Sequence, residues 1–348
     1  MIFIDGIIFS LQDSGGISVY FKELLAFLSR ESRNYRIALY PHNNQFAPLK
    51  EVDYKHRYSI NIERFLRCKN IITDAEIFHS SYYRLPEKKF TGKIITTVHD
   101  FTDEVYPRNF KSKVLSYHKR KAILNSHGII CISENTKHDL LKFIPEARNI
   151  PITVIYNGAG DFSKKDNQQQ QSLYSAPYVL FVGAREKYKN FDLCVKSLSP
   201  FKDIKLVIVG GGNLNITELS LLNLHLKGRY IKEKYVDDTK LNNLYNYALF
   251  LFYPSQYEGF GIPIIEAMKS GCPVIATEGS SITEIAAGHA ILAEDATVEN
   301  FIKCINKLFD DNIRNKLIIG GQLHAEKYSW NNCFAETIKF YDEIRGLT

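Results

Sequence analysis

The rhythm of this chain limits its fold more than any other feature. Short runs rich in Ile, Val and Phe alternate with amphipathic stretches, once from Met1 to about Tyr156 and again from Tyr178 onward. In the first series, strands are expected at residues 1–5, 36–40, 77–80, 93–99, 128–132 and 152–156, and helices at 16–29, 111–126 and 135–143. In the second, strands are expected at 178–183, 205–210, 249–253 and 273–276, and helices at 190–198, 214–226, 239–248, 263–270 and 298–309. Near-continuous apolar strands are buried on both faces, which points to parallel sheets covered by helices. Strands alternating with helices twice over imply two doubly wound α/β domains. The polar segment 157–177, with Lys164-Lys165-Asp166-Asn167 and then Gln168 to Gln171, interrupts the rhythm and reads as a linker or exposed loop. The expected division is a first domain over 1–160, a linker over 161–177 and a second domain over 178–330. Ligands of such sheets bind beyond the carboxyl ends of the strands, so two facing domains would hold a ligand in the cleft between them.

A chain of 348 residues, 45% hydrophobic and 24% charged, is an ordinary globular composition with room for two cores. No uncharged apolar run approaches the ~18 residues of a spanning helix. The opening five residues have neither a basic region nor a cleavage site and are expected to form a strand, not a leader. The six cysteines form no Cys-x-x-Cys pair and sit among apolar neighbours, as buried thiols of a reducing compartment do, so a cytoplasmic location is expected. Charge is uneven: residues 1–160 carry 23 Lys and Arg against 16 Asp and Glu, and the remainder 21 against 22. A basic first half fits an anionic partner, or a solvated surface with none. Its densest stretch is Arg108, Lys111, Lys113, His118, Lys119, Arg120 and Lys121. No nucleic-acid recognition motif accompanies that charge, and nucleic acid is not expected as a partner.

Four strand ends carry candidate chemistry. The run from Tyr253 to Met268 leads from an apolar strand through Glu258-Gly259-Phe260-Gly261-Ile262-Pro263 into a helix that carries Glu266-Ala267-Met268. Proline suits a first helical turn, and glycines admit a ligand close to the backbone. Free amides at a helix start favour an anion by about 0.3–1 kcal/mol. Glu266 is expected in that first turn, where a carboxylate either accepts ribose hydroxyls or simply matches the helix dipole. The second strand end, Gly183-Ala184-Arg185-Glu186-Lys187-Tyr188-Lys189-Asn190, offers Arg185 and Lys189 to a diphosphate, or is a solvated basic turn with Asn190 as helix cap. The third places His99 after an apolar strand, facing a cleft or packed in a core. The fourth is the pair Gly15-Gly16 between the first strand and the first helix. No Asp-x-Asp triplet follows a strand and no His/Cys cluster occurs, so no metal and no cofactor are expected.

Taken in order, these motifs resemble the family 4 glycosyltransferases, of the "glycosyl transferases group 1" type, over nearly the whole chain. The strongest element is Glu258 to Glu266 with Gly-Phe-Gly and Pro between, set in Phe252-Tyr253-Pro254-Ser255 and Ser270-Gly271-Cys272-Pro273-Val274. Val182-Gly183 with Arg185 and Lys189-Asn190, Tyr156-Asn157-Gly158, Val98-His99-Asp100 and Tyr328-Ser329-Trp330 add to it. The resemblance implies the GT-B fold: two Rossmann-like domains facing across a cleft, with the last helix, about 331–348, crossing back to the first. It implies a retaining, metal-independent transfer of a sugar from a nucleotide-diphosphate donor by a front-face mechanism. Glu258 and His99 would stand at the transferring sugar. Gly15, Gly16, Arg185, Lys189, Gly259, Phe260, Gly261 and Ile262 would line the sugar and diphosphate, and Glu266 would hold the ribose. A mannose-type sugar on GDP is the first expectation and a UDP-sugar the second. The acceptor would be a saccharide, lipid-linked, in surface-polysaccharide assembly of the O-antigen or capsule kind. By the same resemblance the basic first domain would touch an anionic membrane at its cytoplasmic face. One departure matters: Arg185 stands two places after Gly183, where many relatives put arginine directly after the glycine, so Lys187 competes for its role. A nucleotide-sugar-binding protein without turnover is the alternative. A Rossmann oxidoreductase or epimerase is disfavoured, because neither Gly-x-Gly-x-x-Gly nor a suitably placed Tyr-x-x-x-Lys is present.

Overall fold

The structure is a computed structural model that describes residues 1–13, 15–48, 58–69, 74–107, 110–165, 171–234 and 236–346. It divides into two compact units, 1–158 with 330–348, and 159–329.

In the first unit the order is β1 (Ile2–Asp5), α1 (Ile8–Leu11), α2 (Gly16–Arg30), β2 (Tyr35–Ala38), α3 (Ile60–Glu63), β3 (Ile77–Ser80), β4 (Lys93–Val98), α4 (Thr102–Val105), α5 (Phe110–Leu124), β5 (Gly128–Cys131), α6 (Glu134–Phe143) and β6 (Ile152–Val154). Six parallel strands lie in the order β2-β1-β3-β4-β5-β6. The strand order reverses between β1 and β3, the place where open parallel sheets leave a ligand crevice. The largely apolar sheet core holds one ionic knot. Arg84 donates to Asp5 at 3.1 Å and to Glu63 at 3.0 Å, and Tyr40 donates to Asp5 at 3.0 Å. Burial raises the pKa of Asp5, and Arg84 opposes that rise.

The helix at the end of the chain, Trp330–Arg345, packs within this unit. Its aromatic face meets α2: Tyr20 lies edge-on to Trp330 at 6.0 Å and to Phe334 at 5.2 Å. Tyr341 hydrogen-bonds Nδ1 of buried His79, whose Nε2 meets Thr97 at 2.9 Å. Burial, then the charge of His99, lowers the His79 pKa to about 3, so the ring stays neutral.

The second unit runs β7 (Tyr178–Val182), α7 (Phe191–Leu198), β8 (Lys205–Val209), α8 (Ile216–Leu226), β9 (Tyr230–Glu233), α9 (Asp238–Tyr247), β10 (Leu251–Tyr253), α10 (Ile262–Lys269), β11 (Val274–Thr277), α11 (Ser280–Ala286), β12 (Ile291–Ala293), α12 (Val298–Leu308) and α13 (Asp311–Ala325); the closing helix of the first unit is α14. Its parallel order is β12-β11-β10-β7-β8-β9, reversing between β7 and β10. One apolar core joins Phe181, Phe191, Phe250, Phe252 and Phe301, with the rings of Phe252 and Phe301 4.8 Å apart.

Several elements lie outside the expected pattern. Strand β9 is half-buried and charged (Tyr-Ile-Lys-Glu), and β12 has three residues, too few for a period to show. Helix α13 carries Gly320 and Gly321, which lower helix propensity but let it lie close to His289 and Met268. The segment expected as a linker at 161–177 is partly packed: Phe162 is buried against Tyr245, and the amides of Ser163 and Lys165 donate to Asn242 and Asn246. Gln168, Gln169 and Gln170 lie outside the described residues. All six cysteines are free thiols, five buried and Cys304 half-buried. Among the described residues no helix is long and apolar enough to cross a membrane.

Candidate functional site

In the second unit the loops after β7 and β10 flank the strand-order reversal, and two hydrogen bonds join them. The Asn190 side chain donates to the Pro254 carbonyl at 2.9 Å, and the Gln256 amide to the Tyr188 carbonyl at 2.8 Å. Asn190 occupies the cap position of α7 with φ 50°, but its side chain binds the neighbouring loop and makes no cap hydrogen bond. The stitched loops bring Lys189 Nζ to 2.5 Å from Glu258 Oε1, with side-chain exposures of 16% and 13%. Tyr253, buried at the end of β10, hydrogen-bonds the same carboxylate through its phenol. The result is a half-buried cation beside a half-buried anion at the carboxyl end of a parallel sheet.

The Glu258–Gly261 turn is held from below. Ser281 Oγ lies 2.8 Å from the Glu258 carbonyl and 3.0 Å from that of Phe260, and the Glu258 amide donates to Ser280 Oγ at 3.1 Å. Phe260 is buried edge-on to Tyr328. Gly261 takes φ +100°, a left-handed backbone that a side chain would strain, and from there α10 begins at Ile262 with Pro263 in its first turn. Among the described residues the amides of Gly261 and Ile262 have no hydrogen-bond acceptor. Ser280 and Ser281 escaped the sequence reading; their signal was the Gly279-Ser280-Ser281 break between a strand and a helix.

Glu266 is not in the first turn of α10, as expected, but one turn further along, because the helix starts at Ile262. Tyr245 donates to its Oε2 at 3.0 Å. Burial of the carboxyl raises its pKa to about 7, and the Tyr245 hydrogen bond opposes the rise.

Arg185 is turned to the protein's own backbone. Its Nε donates to Glu218 at 2.9 Å, Nη1 to the Gly210 carbonyl at 2.8 Å, and Nη2 to the carbonyls of Gly211 at 2.9 Å, Gly212 at 3.3 Å and Asn213 at 2.8 Å. Those carbonyls converge because Gly210, Gly211 and Gly212 all take positive φ. Glu218 also closes a capping box with Asn215 at the start of α8, so the clamp joins β7, the glycine turn and α8. Lys187 is exposed.

In the first unit His99 follows β4 and is 7% exposed, edge-on to Tyr20 at 5.3 Å. Its Nε2 is buried without a hydrogen-bond partner. Burial lowers its pKa to about 4; Asp100 opposes this and Lys119 adds to it. Gly15 precedes α2 with extended backbone, its missing Cβ direction filled by the Gln12 side chain, while Gly16 faces open space. Ser14 lies outside the described residues. The basic stretch divides. Lys119 is buried on Glu104 at 2.8 Å, and Arg120 pairs with Glu146. Lys113 and Lys121 are exposed on α5, in line with Phe110, Tyr117 and Leu124. Spacings of three and four put those five on one helix face. Arg108 and the Lys111 side chain lie outside the described residues. Among the described residues no group of three His, Cys, Asp or Glu is placed to hold a metal.

Comparison with known proteins adds to this geometry. Residues 163–323 match the family model "Glycosyl transferases group 1", and residues 14–159 match "Glycosyltransferase Family 4". O-antigen chain mannosyltransferase B of Escherichia coli is 25% identical over 284 residues, 76% of this chain and 74% of its own. Sucrose-phosphate synthase from Thermosynechococcus elongatus superposes with TM-score 0.77 at 15% identity, covering 100% of this chain and 99% of its own. Anabaena HepE, solved in complex with UDP-glucose, gives TM-score 0.71 at 13% identity over 97% of this chain and 99% of its own.

Proposed function

Because this chain belongs to the family 4 glycosyltransferases, has their GT-B fold and is a hexosyltransferase, we propose that it transfers a hexose, mannose from GDP-mannose first and a UDP-sugar second, to a lipid-linked saccharide with retention of configuration. The observation that carries this reading is the Lys189–Glu258 pair beside Tyr253 at the switch point of the second sheet. Ligands of doubly wound sheets bind there. The similarity to a mannosyltransferase favours the sugar, and the UDP-glucose complex of HepE supports a nucleotide-sugar donor.

In the reaction we propose, Lys189 leaves Glu258 for the donor diphosphate, with the amides of Gly261 and Ile262 meeting a second phosphoryl oxygen. Glu258 then accepts hydroxyls of the sugar, and Glu266 accepts the ribose hydroxyls. As the bond from C1 to the phosphate oxygen breaks, its electron pair goes to the leaving diphosphate. The acceptor oxygen bonds C1 from the same face and passes its proton to a phosphate oxygen. Positive charge at Lys189 stabilises the developing negative charge without reorganisation. His99 remains neutral near pH 7, so its Nε2 serves as a hydrogen-bonding group, not as an acid. Arg185 serves as a positioning residue that holds the glycine turn, and no metal is required. Incubating the protein with GDP-mannose, UDP-glucose and other nucleotide sugars, with and without acceptor and with excess chelator, tests the reading. Acceptor-dependent nucleotide release that survives chelation supports it, and release that needs an added divalent ion refutes the metal-free part.

The α5 face of Phe110, Lys113, Tyr117, Lys121 and Leu124 supports a peripheral, cytoplasmic-face contact with anionic lipid, apolar side chains entering and lysines meeting headgroups. Sedimentation with vesicles of rising anionic content tests this, and binding that ignores lipid charge overturns it.

A further inference from the structure

We propose that a recess in the first unit, bounded by Arg64 and Arg67 after α3, Tyr83 after β3, and His118 and Lys121 on α5, binds a phosphate or diphosphate group carried on an apolar chain. The recess holds about 290 Å³ including its open mouth. Among the described residues no acidic side chain lines it; the adjoining hollow, walled by Tyr82 and Lys119, includes Asp103. Arg84 also reaches it, but Asp5 and Glu63 balance that guanidinium.

Arg67 donates to the Pro86 carbonyl at 2.6 Å, whereas Arg64 and Lys121 lack such balance. Neither Arg64 nor Lys121 forms an ion pair with a described residue, and Arg64 Nε is buried with no hydrogen-bond partner. Aromatic faces hold the Arg64 guanidinium in place: it lies 4.8 Å from the Tyr82 ring and 5.4 Å from that of Phe65. His118 closes the wall, its ring 4.8 Å from Phe65. The His118 pKa is lowered, first by partial burial and then by Lys121 and Arg64, so the two cations raise the potential where the ring sits. The Arg64 guanidinium hydrogen-bonds the Tyr82 phenol, but its buried Nε–H has no acceptor, which is unfavourable until an anion accepts from it, and the planar fork suits phosphate oxygens.

The ligand's remainder is set by the mouth. Ile62, Leu66 and Tyr117 are exposed large apolar side chains on the segments that form the rim, at 52%, 37% and 62%. A free phosphate gains nothing from them, whereas an isoprenoid-type ester would bury them. This inference rests on the lipid-linked-acceptor reading only for that apolar part.

The test is calorimetric binding of farnesyl diphosphate, inorganic pyrophosphate and a nucleotide sugar to wild type, Arg64→Gln and Lys121→Gln. Lys121 is exposed, so its variant keeps the test available if Arg64→Gln does not fold. Farnesyl diphosphate should bind more tightly than pyrophosphate and lose at least tenfold in each folded variant, with nucleotide-sugar affinity unchanged. Equal affinity in wild type and variants, or displacement of farnesyl diphosphate by nucleotide sugar, overturns the site. Binding only to vesicles with phosphate headgroups, and not to soluble farnesyl diphosphate, also overturns it in favour of a membrane surface. Transfer activity on a lipid-free acceptor, measured in the same variants, separates failure of this inference from failure of the transferase reading.

Discussion

Lowering the pH from 8 to 6 should weaken donor binding about tenfold, and Glu266 is the reason. In the unliganded protein, burial holds this carboxyl at a pKa of about 7, so half its population is protonated at neutral pH. In the proposed donor complex the ribose hydroxyls donate to the carboxylate, so binding should select the ionised form. The fraction available is about 0.9 at pH 8 and about 0.1 at pH 6, a ratio near ten or about 1.4 kcal/mol. A nucleotide sugar is a diphosphate diester and does not titrate in this window. His99, with its pKa near 4, stays neutral throughout it. Isothermal titration at pH 6, 7 and 8 measures the effect, and Glu266→Gln should flatten it while weakening binding at pH 8. The same shift bears on stability. The folded pKa lies above the unfolded value, so the folded protein binds the proton more tightly. That stabilisation is complete below about pH 4.5 and is lost as pH rises through 7, at most roughly 3 kcal/mol. Unliganded Glu266→Gln should therefore melt higher than wild type at pH 8 and about equally at pH 4.5. A wild-type affinity independent of pH, or a slope that persists in Glu266→Gln, refutes the ribose role.

Other outcomes follow from the same geometry. Lys189→Ala should lower kcat by about 10²–10³, the usual cost of one preorganised charge-stabilising donor, measured as nucleotide release at saturating donor; near-wild-type turnover refutes the diphosphate role. Arg185→Ala and Glu218→Ala should raise the donor KM by similar factors, because each opens the clamp on the glycine turn; if Glu218→Ala leaves KM unchanged, Arg185 acts on the donor directly. Ser281→Ala should cost about 1–3 kcal/mol of stability by removing the hydroxyl donor that holds the Glu258–Phe260 turn, read by denaturant unfolding.

Much of this protein is legible in one dimension, and the exceptions have physical causes. Buried parallel strands such as Phe181 with its neighbours or Ile129-Ile130 announce themselves, because both faces are apolar. Strand β9 hides because Lys232 and Glu233 serve the sheet edge, and α13 hides because its two glycines make room for other side chains. At the candidate site the loops were visible and the pairings were not. Arg185 reads as a phosphate ligand beside Lys189, yet its carbonyl partners lie 25 to 28 residues away, brought near by three consecutive left-handed glycines. Glu266 reads as a first-turn acid because Pro263 suggests a helix start, but Tyr245, 21 residues earlier on another helix, is what its carboxyl meets. Lys189 and Glu258 come together only through the bonds that Asn190 and Gln256 make between two loops.

The most direct measurement of the central claim is proton NMR of the product formed from GDP-α-mannose and a saccharide acceptor by wild type and Lys189→Ala. The account predicts an α-linked mannoside from wild type and little product from the variant. A β-linked product, or equal yield from both proteins, contradicts it.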